Sequence, residues 1–217
     1  MRYQLAIFDL DGTILDTLED LTDSVNAALC KSGYPERTID EVRRFVGNGI
    51  RKLMERAVPE GTAVQDIDRV HSDFTEHYKV HCADKTRPYK GIPELLTVLR
   101  KAGCKTAVVS NKADYGVQEL CSQYFDGMFD FAVGERTGIL RKPSPDSVNE
   151  VLRVLGVDRS QAVYIGDSEV DVKTAANANM DHIIVTWGFR DKVFLREQGA
   201  KVFVSEPEEI ERIILME

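Results

Sequence analysis

Two aspartates with the spacing to do chemistry follow a short apolar run near the start of the chain. The run Leu5-Ala6-Ile7-Phe8 leads into Asp9 and Asp11, with a glycine turn immediately after. On an extended backbone, side chains two residues apart point the same way, so both carboxylates would converge at one strand end. Converging anions need a cation, a shared proton or both to offset their repulsion. The alternative is an acidic, solvated turn, because Asp and Gly are common turn residues.

Three further segments carry reactive side chains, two of them at the ends of predicted strands. The strand over residues 106–109 ends in Ser110-Asn111-Lys112, and the strand over 162–165 ends in Gly166-Asp167, with Asp171 four residues later. Lys142 lies in the loop between these two segments. Together with Asp-Leu-Asp-Gly-Thr-x-x-Asp at 9–16, the four motifs in this order resemble those of the haloacid dehalogenase superfamily, whose members are mostly phosphatases. The resemblance covers the chain from about Tyr3 to Gly188.

Phosphoryl transfer needs a nucleophile, neutralisation of the phosphate oxygens and a proton for the leaving oxygen. The resemblance and the residue types both favour Asp9 as the nucleophile that forms an aspartyl-phosphate. Asp11 is then the general acid, because the negative Asp9 and phosphate favour a proton on it. A hydroxyl, main-chain amides and a lysine ammonium can bind the phosphate oxygens. The predicted substrate-binding residues of this region are Asp11, Gly12, Ser110, Asn111 and Lys142.

The same carboxylates predict a Mg²⁺ site, because Mg²⁺ prefers oxygen ligands and is held by one or two carboxylates. Asp9 and Asp167 would supply those, and the resemblance implies the main-chain carbonyl of Asp11 as a third ligand. Asp171 would act through water or by holding another ligand. The alternative for Asp167 and Asp171 is a helix N-terminus rich in carboxylates, which the helix dipole favours.

The pattern of apolar residues changes once along the chain and predicts two domains. Residues from Leu18 to about Asp84 have helical periodicity, and from Pro88 onward helices and strands alternate. Alternation predicts an α/β fold, a doubly wound parallel sheet with a Rossmann-like core formed by residues 1–15 and 88–217. An all-helical cap domain, residues 16–87, is inserted after strand one. The resemblance implies strand order five-four-one-two-three, which places Asp9 and Asp167 across one crevice at a topological switch point.

The predicted cap would cover the site as a lid, and its sequence favours one branch of the superfamily. The segments 45–49 and 86–91 resemble the lid and linker of phosphoglycolate phosphatases. We expect Gly47, Asn48 and Gly49 to enter the site and contact substrate, with Arg44, Arg51 or Lys52 near a substrate carboxylate. The alternative is an ordinary turn between two helices.

The predicted function is a Mg²⁺-dependent phosphatase acting on a small phosphorylated metabolite such as 2-phosphoglycolate. Pyrophosphatase and β-phosphoglucomutase-like phosphoryl transfer are alternatives that use the same core. A haloacid dehalogenase does not need a protonating aspartate at Asp11. A catalytically silent binding module is expected to lose one of Asp9, Asp11, Lys142 or Asp167, and all four are present.

Composition excludes several classes of partner. A net charge of −8 over 217 residues argues against a nucleic-acid or acidic-membrane binder. The chain has no apolar run near the ~18 residues of a membrane span and no signal peptide, so we expect a cytoplasmic protein. We further expect a monomer or a homodimer. The four cysteines form no C-x-x-C pair, which favours free thiols in a reducing compartment. His77 and His81 share a predicted helix face, but apart from the adjacent Cys82 the histidines have no acidic or cysteine partner at ligand spacing, which argues against a metal site.

Overall fold

The computed structural model describes residues 1–216, and its largest feature is a six-stranded parallel sheet. The strands, in chain order, are β1 (Leu5–Phe8), β2 (Leu15–Asp16), β3 (Arg87–Pro88), β4 (Lys105–Ala113), β5 (Phe131–Glu135), β6 (Ala162–Gly166), β7 (Asp181–Val185) and β8 (Phe203–Val204). The large sheet has the order β5-β4-β1-β6-β7-β8, and β2 pairs with β3 separately. This confirms the predicted fold class and the predicted order of the first five core strands, and β8 adds a sixth at one edge.

The chain divides into two compact units. The α/β unit consists of residues 1–15 and those from Pro88 onward, and the helical unit is Asp16–Arg87. The helices of the helical unit are α1 (Leu18–Lys31), α2 (Ile39–Phe45), α3 (Ile50–Ala57) and α4 (Val64–His81). Those of the α/β unit are α5 (Ile92–Lys101), α6 (Asp114–Phe125), α7 (Asp146–Leu155), α8 (Glu169–Asn177), α9 (Lys192–Glu197) and α10 (Pro207–Leu215).

The helical unit forms because each helix has one apolar face. On α1, Leu21, Val25 and Leu29 recur at helical spacing and are buried, as are Phe74 and Tyr78 of α4, whose rings stack at 5.2 Å. Thr38 begins α2 with a capping box, since its hydroxyl accepts from the Glu41 amide and the Glu41 carboxylate accepts from the Thr38 amide.

The central strand of the sheet explains where reactive side chains can meet. All four residues of β1 are buried, and Phe8 lies in register with Val108 of β4 and Ile165 of β6. Parallel strands that share a register also share a carboxyl-terminal edge. Residues just beyond Phe8, Val108 and Ile165 therefore come together at one edge of the sheet.

Two helices of the α/β unit depend on features that apolar periodicity does not show. Helix α8 begins at Glu169, because Ser168 and Asp171 form a capping box there. Helix α9 has one buried residue, Leu195, too few for an apolar period to predict it.

Two further predictions concern cysteines and membranes. The four cysteines are free thiols, with Cys82, Cys104 and Cys121 buried and Cys30 exposed. Among the residues that the structure describes, none of the helices is both long and apolar enough to cross a membrane.

Candidate active site

A buried lysine links two of the predicted carboxylates at the carboxyl-terminal edge of the sheet. The Lys142 ammonium lies 2.8 Å from Asp9 Oδ1 and 2.8 Å from Asp171 Oδ1. It also donates to the Tyr164 hydroxyl at 3.1 Å, and that hydroxyl donates to Asp171 Oδ1 at 3.2 Å. Lys142 is only 4% exposed, so these contacts are made away from bulk water, where charge-assisted hydrogen bonds are strong.

The neighbours of Lys142 keep it charged. Burial on its own lowers the pKa of Lys142, but the charges of Asp171 and Asp9 outweigh it, and the net pKa lies well above the ordinary value. The ammonium is therefore a fixed positive charge beside Asp9.

Asp9, Asp167 and Asp171 form a buried group of carboxylates. Each can offer one oxygen such that the three atoms lie within 4.8 Å of one another. Burial raises the pKa of Asp9 to about 7; Lys142 opposes this rise and Asp171 reinforces it. Burial, followed by the charges of Asp171 and Asp9, raises the pKa of Asp167 well above its usual range. The single ammonium of Lys142 does not offset three carboxylates, so the donor set suits a further cation with a preference for oxygen.

The described chain, residues 1–216, contains no other group of three His, Cys, Asp or Glu side chains close enough to hold a metal ion. His77 and His81 stack on one another at 4.3 Å, and each has a protein partner, Ser24 and Asp84 respectively.

Protein donors surround the carboxylate of Asp171. Besides Lys142 and Tyr164, it accepts from the amides of Asp167 at 3.2 Å and Ser168 at 3.0 Å, and from the Ser168 hydroxyl at 2.6 Å. A carboxylate engaged this way orients its neighbours and begins α8. The geometry favours the predicted indirect role of Asp171, which stays a prediction.

Asp167 is fixed by the loop that follows β7 and by the turn that follows β1. Its Oδ2 accepts from the Phe189 amide at 2.7 Å, and its Oδ1 accepts from the Thr13 hydroxyl at 3.3 Å. Two glycines give it room: a Cβ on Gly12 would lie 2.6 Å from Asp167 Oδ2, and one on Gly188 would lie 2.3 Å from Asp167 Cβ. Gly12 also has a φ of +82°, which glycine adopts without strain.

Asp11 has a lysine of its own. The Lys112 ammonium lies 3.1 Å from Asp11 Oδ1, and the Lys112 side chain is 5% exposed while that of Asp11 is 18% exposed. The two lysines therefore pair with different aspartates: Lys142 with Asp9, and Lys112 with Asp11.

The side chains of Ser110 and Asn111 form hydrogen bonds with main-chain groups. The Ser110 hydroxyl accepts from the Lys112 amide at 3.1 Å. The Asn111 side chain donates to the Lys142 carbonyl at 3.0 Å and accepts from the Lys142 amide at 2.8 Å. Asn111 therefore joins β4 to the loop that contains Lys142. These contacts position Lys142, while direct contact of Ser110 or Asn111 with substrate stays a prediction.

The remaining predicted substrate ligands have protein partners or belong to the helical unit. The Gly12 amide donates to the Leu15 carbonyl at 2.9 Å, so the visible role of Gly12 is to give Asp167 space. Gly47, Asn48 and Gly49 lie between α2 and α3 of the helical unit, with φ values of 115°, 64° and 85°. Within that unit, Arg51 pairs with Glu55 and Asp68, and Lys52 pairs with Glu55. Substrate contacts of all these residues stay predictions.

The sequence prediction assigned no role in the site to Lys112, Tyr164, Gly188 and Phe189. Lys112 directly follows Ser110-Asn111, so its position after a strand end was an available signal. Tyr164 lies within the apolar run of β6 and is typical of core packing, which hides the use of its hydroxyl. Phe189 acts through its main-chain amide, which no side-chain pattern can indicate.

Comparisons with known proteins show which family this chain resembles. The family model described as haloacid dehalogenase-like hydrolase matches residues 6–185. The chain is 38% identical to the phosphoglycolate phosphatase of Psychrobacter arcticus over 198 residues, which cover 87% of this chain and 86% of that protein. It is 29% identical to the N-acetylmuramic acid 6-phosphate phosphatase of Pseudomonas aeruginosa over 219 residues, covering 97% of this chain and 94% of that protein. A crystal structure from Lactobacillus delbrueckii subsp. bulgaricus, provisionally named a phosphoglycolate phosphatase, matches with a TM-score of 0.96 and 43% identity over 100% of both chains.

Proposed function

The chain belongs to the haloacid dehalogenase-like hydrolases and is a phosphatase, and we propose that it hydrolyses small phosphomonoesters through a covalent intermediate on Asp9. The observation that carries this proposal is the contact between the Lys142 ammonium and Asp9 Oδ1 at 2.8 Å, at the end of the central strand. A carboxylate can act on a negative phosphate only where positive charge offsets the repulsion. Lys142 provides such charge beside the carboxylate.

The backbone fixes the direction of the nucleophile. Asp9 Oδ1 accepts from the Leu10 amide at 2.7 Å as well as from Lys142, and the Asp9 amide donates to the Ile165 carbonyl at 2.8 Å. A residue whose carboxylate and backbone are both held in this way needs little reorganisation before it reacts.

The proposed reaction has two steps. An Asp9 oxygen attacks phosphorus and the bond from phosphorus to the ester oxygen breaks, while Asp11 gives its proton to that leaving oxygen. A water molecule then attacks the phosphorus of the aspartyl-phosphate, with Asp11 accepting the water proton, so inorganic phosphate leaves and both aspartates return to their starting states. Proton transfer of this kind contributes roughly 10²–10⁴-fold to the rate.

The donor set fits Mg²⁺, and we propose it as the cofactor. Asp9 and Asp167 would hold the ion through their carboxylates, with the main-chain carbonyl of Asp11, and Asp171 would orient Asp167. When bound, Mg²⁺ supplies positive charge that offsets the carboxylates and the phosphate oxygens.

We propose 2-phosphoglycolate as the preferred substrate. The proposal draws on the printed name of the Psychrobacter arcticus relative and on the motifs of residues 45–49 and 86–91. We further expect a cytoplasmic enzyme that works as a monomer or homodimer, without nucleic-acid or membrane partners.

The test is a panel of phosphorylated compounds with Mg²⁺, ranked by kcat/KM from released phosphate. The panel contains 2-phosphoglycolate, pyrophosphate, β-glucose 1-phosphate and N-acetylmuramic acid 6-phosphate. We expect 2-phosphoglycolate to rank first. Preference for another ester, or for pyrophosphate, would overturn the proposed substrate but would not contradict the proposed phosphatase chemistry. Conversion of β-glucose 1-phosphate to the 6-phosphate with little phosphate released overturns hydrolysis itself.

A further inference from the structure

The proposed reaction leaves one buried cation of the α/β unit without a role. Lys112 is 8% exposed, and its ammonium lies 3.1 Å from Asp11 Oδ1. A lysine is rarely this buried, because taking its charge out of water is costly unless an anion accompanies it. The Lys112 stem packs against Gly116 on α6, where a Cβ would lie in ordinary contact, 3.4 Å from Lys112 Cδ.

The two buried lysines belong to different halves of the reaction. Lys142 contacts Asp9, which under the proposed function attacks phosphorus. Lys112 contacts Asp11, which protonates the oxygen of the leaving group. A cation within hydrogen-bonding distance of the acid therefore lies on the leaving-group side of the bond that breaks.

We propose that Lys112 binds an anionic group carried by the leaving alcohol and thereby selects phosphomonoesters of small hydroxy acids. This inference rests on the proposed function and deepens it by naming the residue that recognises the leaving group. In a 2-hydroxy acid, a single carbon separates the ester oxygen from the carboxylate. An anion so close to the oxygen that Asp11 protonates comes within reach of the ammonium beside Asp11. An ammonium acts as a compact point charge, so it attracts a carboxylate without requiring one fixed orientation.

The charge balance of the region supports an anionic leaving group. In the step in which Asp11 holds the proton that it donates, the pair carries the single positive charge of Lys112, so the leaving-group side attracts a substrate carboxylate. A neutral sugar would gain nothing from Lys112. Electrostatic complementarity of this kind discriminates between partners of equal size.

The experiment compares two esters that differ in charge and hardly in shape: 2-phosphoglycolate and phosphoglycolamide, in which a carboxamide replaces the carboxylate. The proteins are wild type, Lys112→Met and, as matched control, Lys105→Met. Lys105 lies on the same strand but is exposed, and its ammonium donates to the Leu155 carbonyl. We expect wild type and Lys105→Met to prefer the carboxylate by about 100-fold in kcat/KM. Lys112→Met should lose most of that preference, because the substitution lowers kcat/KM mainly for 2-phosphoglycolate.

Binding provides a second readout that does not depend on turnover. In an Asp9→Asn background, calorimetry should show that Lys112→Met weakens the binding of 2-phosphoglycolate much more than the binding of phosphoglycolamide. Equal losses on both esters would assign Lys112 to positioning Asp11 and overturn the proposal. Equal kcat/KM of the wild-type enzyme for the two esters would also overturn the proposal, and this result does not depend on whether Lys112→Met folds.

A third substrate separates failure of this inference from failure of the proposed function. p-Nitrophenyl phosphate carries no anion on its leaving group and needs little help from an acid. If wild type with Mg²⁺ hydrolyses none of the three esters, the proposed function is wrong. If it hydrolyses them without preferring the carboxylate, only the role of Lys112 is wrong.

Discussion

The stability of the metal-free protein should decrease as the pH rises from about 4 to about 7, because of Asp9. The pKa of this carboxyl is raised from 3.8 to about 7 in the folded protein, chiefly by burial. Between those values the folded chain holds a proton that the unfolded chain has released. The free energy of unfolding therefore falls with rising pH in this window, and the stability contributed below pH 4 is lost above pH 7.

The size of the effect follows from the shift. Each pKa unit corresponds to about 1.4 kcal/mol, so the shift of Asp9 is worth about 4 kcal/mol across the whole window. Asp9→Asn removes this titration and nearly preserves the shape. The difference in unfolding free energy, variant minus wild type, should therefore increase with pH by up to about 4 kcal/mol.

The assay is urea unfolding in EDTA at several pH values across that window. The proteins are wild type, Asp9→Asn and Asp158→Asn, the last a control whose side chain is exposed. Asp158→Asn should follow wild type at every pH. A difference between Asp9→Asn and wild type that stays flat, or decreases with pH, would refute the claim that burial raises the pKa of Asp9.

Three further predictions concern single residues. Lys142→Met should lower the free energy of unfolding by about 3–5 kcal/mol, because it leaves Asp9 and Asp171 buried without their cation; a loss below about 1 kcal/mol in urea unfolding contradicts this. Gly188→Ala should weaken Mg²⁺ binding about 10-fold or more by calorimetry, because the new Cβ would lie 2.3 Å from Asp167 Cβ, and unchanged affinity contradicts it. Asp11→Asn should slow hydrolysis of an alkyl phosphate by about 10²–10⁴-fold and that of p-nitrophenyl phosphate much less, whereas equal losses argue against Asp11 as the acid.

The sequence predicted which residues meet because parallel strands impose it. Once β1, β4 and β6 are parallel neighbours, Asp9, Ser110 and Asp167 must lie at one edge of the sheet. Apolar runs ending in polar residues are visible in the sequence, so this part of the site could be read before the structure.

The partners of the lysines could not be read in the same way. Lys112 and Lys142 both have long, flexible stems, and nothing in their neighbours along the chain fixes where an ammonium points. Lys112 pairs with Asp11 and Lys142 with Asp9 in buried surroundings that only the fold supplies. The Phe189 amide that donates to Asp167 has no sequence signal either, because a main-chain donor leaves no mark in the side-chain pattern.

The central claim, a phosphoryl group carried by Asp9, can be tested directly by rapid acid quench. Enzyme with Mg²⁺ is mixed with 2-phosphoglycolate labelled at phosphorus and quenched within the first turnover. The peptide that carries the label is then identified by mass. We predict a hydroxylamine-sensitive phosphoryl group on Asp9, absent from Asp9→Asn and retained in an Asp158→Asn control. Normal release of phosphate with no labelled protein in the first turnover, or with the label on another residue, would contradict it.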